Sequence, residues 1–194
     1  MKVITLDHHS FKRKCAELQS KLDFQPDLVV GILKGGGYVV SHFEAETLIL
    51  LKLQRTNNYL KKSLFVGCLL KFLPYVFTDK LRILESNRAK RSIRNLNKDR
   101  LKLEKLTFHV SSKQNIKKIL IVDDAIDTGR TMYIVKNNLE QLFPGSSVKS
   151  AVISWTIESS VVSPDYYLYK SILVRFPWSK DYRGKDFEEE SYSC

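Results

Sequence analysis

Three carboxylates, Asp123, Asp124 and Asp127, fall within five residues of the stretch from Ile119 to Met132, Ile-Leu-Ile-Val-Asp-Asp-Ala-Ile-Asp-Thr-Gly-Arg-Thr-Met. Adjacent acids suit a hydroxyl-bearing ligand and a hard cation held through oxygen, so Mg²⁺ is the expected cofactor. The small and hydroxylic residues Thr128, Gly129, Arg130 and Thr131 follow, just before a helical pattern from Met132 to Leu142. Backbone N–H groups at a helix start attract phosphate. Together these residues call for a phosphorylated, hydroxyl-bearing ligand. A second group, Gly31-Ile32-Leu33-Lys34-Gly35-Gly36-Gly37, combines a lysine with glycines that let backbone N–H groups approach an anion closely.

Both groups need buried strands to hold them. Ile119 to Val122 has the length and β-branched content of a strand covered on both faces, and Leu28 to Leu33 reads the same way. In an open parallel sheet, ligands bind beyond the carboxyl ends of such strands. Further strands are expected at Thr47–Leu53, Leu106–Val110, Val148–Trp155 and Tyr166–Tyr169, with a last apolar segment from Ile172 into Phe176-Pro177-Trp178. Ser10 is the expected cap of a helix from Phe11 to Leu22, and a second helix begins near Tyr38. Leu69 to Glu85 has apolar residues at helical spacing, interrupted at Pro74 and followed by a charged helix or loop from Ser86 to Leu103. Strands alternating with helices predict an α/β fold with a central parallel sheet. The stretch 55–68 yields no assignment.

At 194 residues the chain fits one domain, with 43% hydrophobic and 27% charged residues. No apolar run is long enough to span a membrane, and the N-terminus lacks the apolar core of a signal peptide, so a cytoplasmic protein is expected. Cys15, Cys68 and Cys194 are an odd number without metal-ligand spacing, which argues for a reducing compartment. The net charge of +11 suits a highly phosphorylated small molecule as well as nucleic acid. Eight basic residues against two acids lie between Arg88 and Lys105. A solvated face, steering of a polyanion and a basic subunit interface are the readings weighed. Nucleic acid is not the expected partner, because no aromatic interleaving or binding module accompanies the charge.

Val122 to Thr131 resembles the phosphoribosyl pyrophosphate (PRPP) signature of type I phosphoribosyltransferases, and Leu33-Lys34-Gly35-Gly36 is similar to the pyrophosphate loop of the purine enzymes of that family. The resemblance implies a single phosphoribosyltransferase domain over residues 1–194, Rossmann-like, with a small hood built from terminal segments. It implies a Mg²⁺-dependent transfer of the 5-phosphoribosyl group of PRPP to a purine-like base, with release of pyrophosphate, in purine salvage. Asp123 and Asp124 would hold the ribose hydroxyls and, through water, the metal. Asp127 would take the proton of the attacking base. Ala125, Asp127, Thr128, Gly129, Arg130 and Thr131 would cradle the 5′-phosphate, with the Arg130 side chain either engaged or lying over the helix. Leu33, Lys34, Gly35 and Gly36 would receive pyrophosphate, across a Leu33–Lys34 peptide expected to be cis. Leu173, Val174 and Trp178 would bind the base. PRPP and a nucleobase are thus the expected partners, with no membrane and with a homodimer or higher homo-oligomer.

Two positions depart from the family pattern. The purine enzymes usually carry a lysine on the strand after the PRPP helix, where this chain reads Val152-Ile153-Ser154-Trp155-Thr156, and the position of the usual aromatic stacker holds Leu173. Two further readings therefore stand beside the first. One is a PRPP- or nucleotide-sensing regulator without turnover; the other is a transferase for a non-purine acceptor.

Overall fold

The computed structural model describes residues 1–53, 70, 72–102, 104–108 and 116–187. Its centre is a five-stranded, all-parallel sheet of β2 (Leu28–Ile32), β3 (Leu48–Leu51), β4 (Lys118–Ile126), β5 (Ser147–Trp155) and β6 (Tyr166–Lys170), in the order β3-β2-β4-β5-β6. Alternation along β4 explains why its apolar run is unbroken. Leu120 and Val122 enter a core with Phe11, Cys15 and Leu18 of helix α1 (His8–Ser20) and Tyr38 and Val39 of helix α2 (Gly35–Val40). Ile119 and Ile121 enter the opposite core with Met132, Val135 and Leu139 of helix α5 (Arg130–Leu142). A strand covered on both faces needs an apolar side chain at every position.

Chain direction divides between β2 and β4. From β2 the chain crosses through α2 to β3 on one side, and from β4 through α5 to β5 on the other. Such a switch point leaves a crevice beyond the strand ends. β4 also outlasts β2, pairing with it only through Val122 but continuing beside β5 to Ile126. Asp123 and Asp124 thus stand within β4, beyond the apolar run Ile119 to Val122, and Asp127 follows its last residue.

The terminal segments form a second sheet, in which β1 (Lys2–Thr5) pairs in parallel with β7 (Ile172–Arg175). Helix α3 (Tyr75–Ile93) packs against it in an inverted manner. Its buried residues, Thr78 and Ser86, are polar, whereas Val76, Phe77, Leu81 and Leu84 are exposed. The apolar spacing is therefore real but faces outward, because the inner face serves a polar network. Within that network Arg175, the largest fully buried side chain, donates to Asp181 (2.8 Å), Thr5 (2.8 Å), Thr78 (2.9 Å) and Asp79 (2.5 Å), with its guanidinium 4.0 Å from the centroid of the Tyr75 ring. Arg82 of α3 adds a bidentate pair to Asp181.

Burial alone would raise the Asp181 carboxyl, but the bonds from Arg82 and Arg175 outweigh it and hold the group well below the usual carboxylate range. A depressed folded-state value contributes stability that is present above the unfolded value near pH 4 and lost as pH falls below it. Asp181→Asn should therefore melt well below the wild type at about pH 6, with the gap closing toward about pH 2.5. Thermal melts across that range check it; a constant gap contradicts the assignment.

Other boundaries differ for local reasons. Asp7, not Ser10, caps α1, its carboxylate accepting the Ser10 N–H at 2.6 Å. α2 starts within the glycines at Gly35, earlier than Tyr38. One helix spans Tyr75 to Ile93, and a short α4 (Lys98–Lys102) follows. Residues 104–108 are not strand: the Leu106 N–H is taken by the Asn138 side chain of α5 (3.0 Å). Positions 55–68 and 109–110 lie outside the described residues.

Candidate active site

A cavity of about 450 Å³ opens at the switch point. Asp123 to Met132 form one wall, and Leu173, Val174, Phe176 and Trp178 form the other. Of the residues singled out from sequence, Asp123, Asp124, Ala125, Asp127, Thr128, Gly129, Arg130, Thr131, Leu173, Val174 and Trp178 all border it. Leu33, Lys34, Gly35 and Gly36 do not line this cavity but sit directly behind the acids. A Cβ on Gly35 would lie 2.2 Å from the Asp124 carboxylate, and one on Gly36 would lie 2.3 Å from the Val122 carbonyl oxygen. Only glycines allow this contact between the loop and β4. The Leu33–Lys34 peptide is cis.

Asp124 is wedged between that loop and the hood. Its carboxylate accepts the Ala125 N–H (2.8 Å) and the Trp178 indole N–H (3.3 Å). Burial pushes its carboxyl above the usual range; bonds from Asp123 and the Ala125 N–H oppose this, and the nearby Asp127 charge adds to it. Trp178 itself stacks on Phe176 at 4.8 Å and packs on Tyr38 at 4.6 Å. It thus acts on the site through Asp124, as part of an aromatic cluster, more than as a free surface for a base.

At the start of α5, Gly129 adopts φ 78°, a left-handed conformation open to glycine, and a Cβ there would meet the Val162 nitrogen at 3.0 Å. No side chain caps this helix, and its first turn carries no acid. An acid-free helix start of this kind favours anions, and it borders the cavity. The Arg130 side chain is exposed and paired with Glu104, and its backbone N–H donates to the Thr128 hydroxyl at 3.4 Å.

Asp127 is exposed at the cavity rim, and the Thr156 hydroxyl is hydrogen-bonded to its Oδ1. Thr156 follows β5 directly, and its hydroxyl lies within hydrogen-bonding reach of both the Ile126 carbonyl (2.6 Å), which also accepts the Thr156 N–H at 2.9 Å, and the Asp127 carboxylate. Sequence reading missed Thr156, since only strand pairing brings it opposite Asp127. It also missed Arg82, whose one signal was its place four residues after Thr78 within an apolar run. Ser154 is fully buried, and its hydroxyl is spent on the Ile172 carbonyl (2.5 Å), tying β5 to β7.

The donor set suits a hydrated Mg²⁺. Among the described residues no group of three or more His, Cys, Asp or Glu gathers to form an all-protein cage. Asp123 and Asp124 at the cavity wall match the habit of Mg²⁺ to take one or two carboxylates and complete its shell with water and substrate phosphates.

This strand order, the crevice at the switch point and the hood of terminal strands define the type I phosphoribosyltransferase fold. The purine phosphoribosyltransferase from Pyrococcus horikoshii OT3 superposes with a TM-score of 0.56 at 19% identity, covering 98% of this chain and all of that one. The Helicobacter pylori xanthine-guanine-hypoxanthine phosphoribosyltransferase superposes with a TM-score of 0.52 at 15% identity, covering 91% of this chain and 90% of that one. At these identities the likeness is one of fold. No protein-family model matches the sequence, and a search of curated proteins returns no significant match.

Proposed function

We propose that the protein is a phosphoribosyltransferase that joins the 5-phosphoribosyl group of PRPP to a purine-like base. The observation that carries this reading is the pairing of the Asp123–Thr131 segment with the glycine loop at one switch point. An uncapped helix start and a glycine-rich loop flank two acids, as a sugar with phosphate at one end and pyrophosphate at the other requires. In the reaction the C1–oxygen bond of PRPP breaks with both electrons leaving on pyrophosphate, and a lone pair of the base nitrogen forms the bond to C1. Asp127 takes the proton that the base nitrogen loses, with the Thr156 hydroxyl holding the carboxylate in place. Asp123 and Asp124 hold the ribose hydroxyls, and the N–H groups of the Thr128–Thr131 turn hold the 5′-phosphate. Bound through Asp123 and Asp124 by way of water, Mg²⁺ would supply charge neutralisation of the departing pyrophosphate.

Two measurements test the reading. PRPP with Mg²⁺ at about 100 times its Kd should stabilise the protein by about 2.7 kcal/mol, and chelation should remove most of the gain. For a chain of this size that is a rise in Tm of roughly 5–10 °C. Pyrophosphate release should then appear with a purine base. Binding of PRPP without release from any base of a panel would sink the transferase reading in favour of a sensor. Release with non-purine acceptors alone would redirect it.

A further inference from the structure

We propose that Arg82 reads the acceptor, selecting a ring whose edge carries an oxo oxygen over one that carries an amino group. The inference rests on the transferase reading and concerns the acceptor end of the same cavity. Among the described residues, two basic ones, Arg82 and Arg130, line that cavity. Arg130 belongs to the phosphate end and its side chain is turned out to Glu104. Strand β5 and the residue after it offer the acceptor no uncommitted donor, since the Ser154 hydroxyl is spent on Ile172 and the Thr156 hydroxyl is shared between Ile126 and Asp127. The opposite wall, Asp123 to Asp127, supplies carboxylates. Among the described residues, Arg82 is the cation that borders the cavity beside Val174 of β7, where hydroxyls such as that of Ser179 carry no charge.

Its guanidinium is held for that purpose. Nε donates to Asp181 Oδ2 at 3.0 Å, Nη2 donates to Asp181 Oδ1, and Nη1 reaches the Val174 carbonyl at 3.4 Å. Asp181 is in turn fixed by Arg175 at 2.8 Å. Of the five N–H groups of an arginine, three are thus committed and two remain. One of those two is on Nη1, which lies 3.4 Å from the Val174 carbonyl at the cavity wall, and the side chain as a whole is 23% exposed and borders the cavity. A donor pair fixed at three points cannot turn away from a mismatched ligand. An oxo oxygen accepts from it; an amino group sets N–H against N–H and leaves the donors unpaired. Sites built to hydrogen-bond one such group discriminate strongly against its absence.

The test compares hypoxanthine with adenine as acceptors, and IMP with AMP as ligands in calorimetric titrations that need no turnover. The wild type should favour the oxo member of each pair by on the order of 10²-fold. Arg82→Met keeps the aliphatic stem and leaves Asp181 paired with Arg175. It should cut the preference below about tenfold, chiefly by weakening the oxo ligand. Arg82→Lys, which keeps the charge and one donor direction, should fall between. A bracing role alone would weaken IMP and AMP equally, so an unchanged ratio in Arg82→Met overturns the proposal. A wild type that binds IMP and AMP alike, or binds neither, overturns it too. Absence of pyrophosphate release with every base would remove the transferase reading while the titrations still decide the role of Arg82.

Discussion

Asp127→Asn should lower turnover by about 10²- to 10³-fold while leaving PRPP affinity within about threefold. The amide keeps the size of the carboxylate and still accepts the Thr156 hydroxyl, so the rim of the cavity is preserved. What it loses is the capacity to take a proton from the attacking nitrogen. PRPP does not exchange that proton, so its binding is spared. Steady-state pyrophosphate release gives the first quantity and titration with PRPP gives the second. Parallel loss of both would place Asp127 among the ligand-holding groups and leave the proton without an acceptor.

The glycine loop carries the second large effect, and its two glycines should fail differently. In Gly36→Ala the new methyl group meets the Val122 carbonyl oxygen at 2.3 Å and the Asp123 Cα at 2.9 Å, both backbone atoms of the central strand. Neither yields without moving β4 in the sheet, so the variant should lose about 3 kcal/mol of stability as well as activity. In Gly35→Ala the methyl group meets the Asp124 carboxylate, a side chain that can turn. Turning it breaks the bonds to the Ala125 and Trp178 N–H groups. That variant should keep more of its stability but lose PRPP·Mg²⁺ binding. Denaturant unfolding and the ligand-induced rise in Tm separate the two. Equal unfolding midpoints for both variants would contradict the division.

How much of this was legible in the sequence depends on how local each determinant is. β4 and the start of α5 were readable because burial on both faces, the acids and Gly129 all act within a few residues of one another. The glycine loop was readable for the same reason. α3 was legible as helical, but the direction its apolar residues face was not legible from spacing, which normally marks the buried face. Here the inner face answers to Arg175 and Asp181, which arrive from the far end of the chain. Leu106–Phe108 alternates like a strand, yet Asn138 claims the Leu106 N–H. Thr156 and Arg82 were invisible for the same reason as these errors: each gains its meaning from a partner placed by tertiary pairing.

The pairing of β1 with β7 joins residues 170 positions apart, such as Lys2 and Ile172. Contacts of that separation close late, because the chain between them must first be ordered. Leu173 and Val174 lie on β7, so the acceptor wall exists only once the last strand has docked beside the first. One wall of the cavity therefore depends on a strand pairing between the two ends of the described chain, while the other belongs to the central sheet and the helix that follows it.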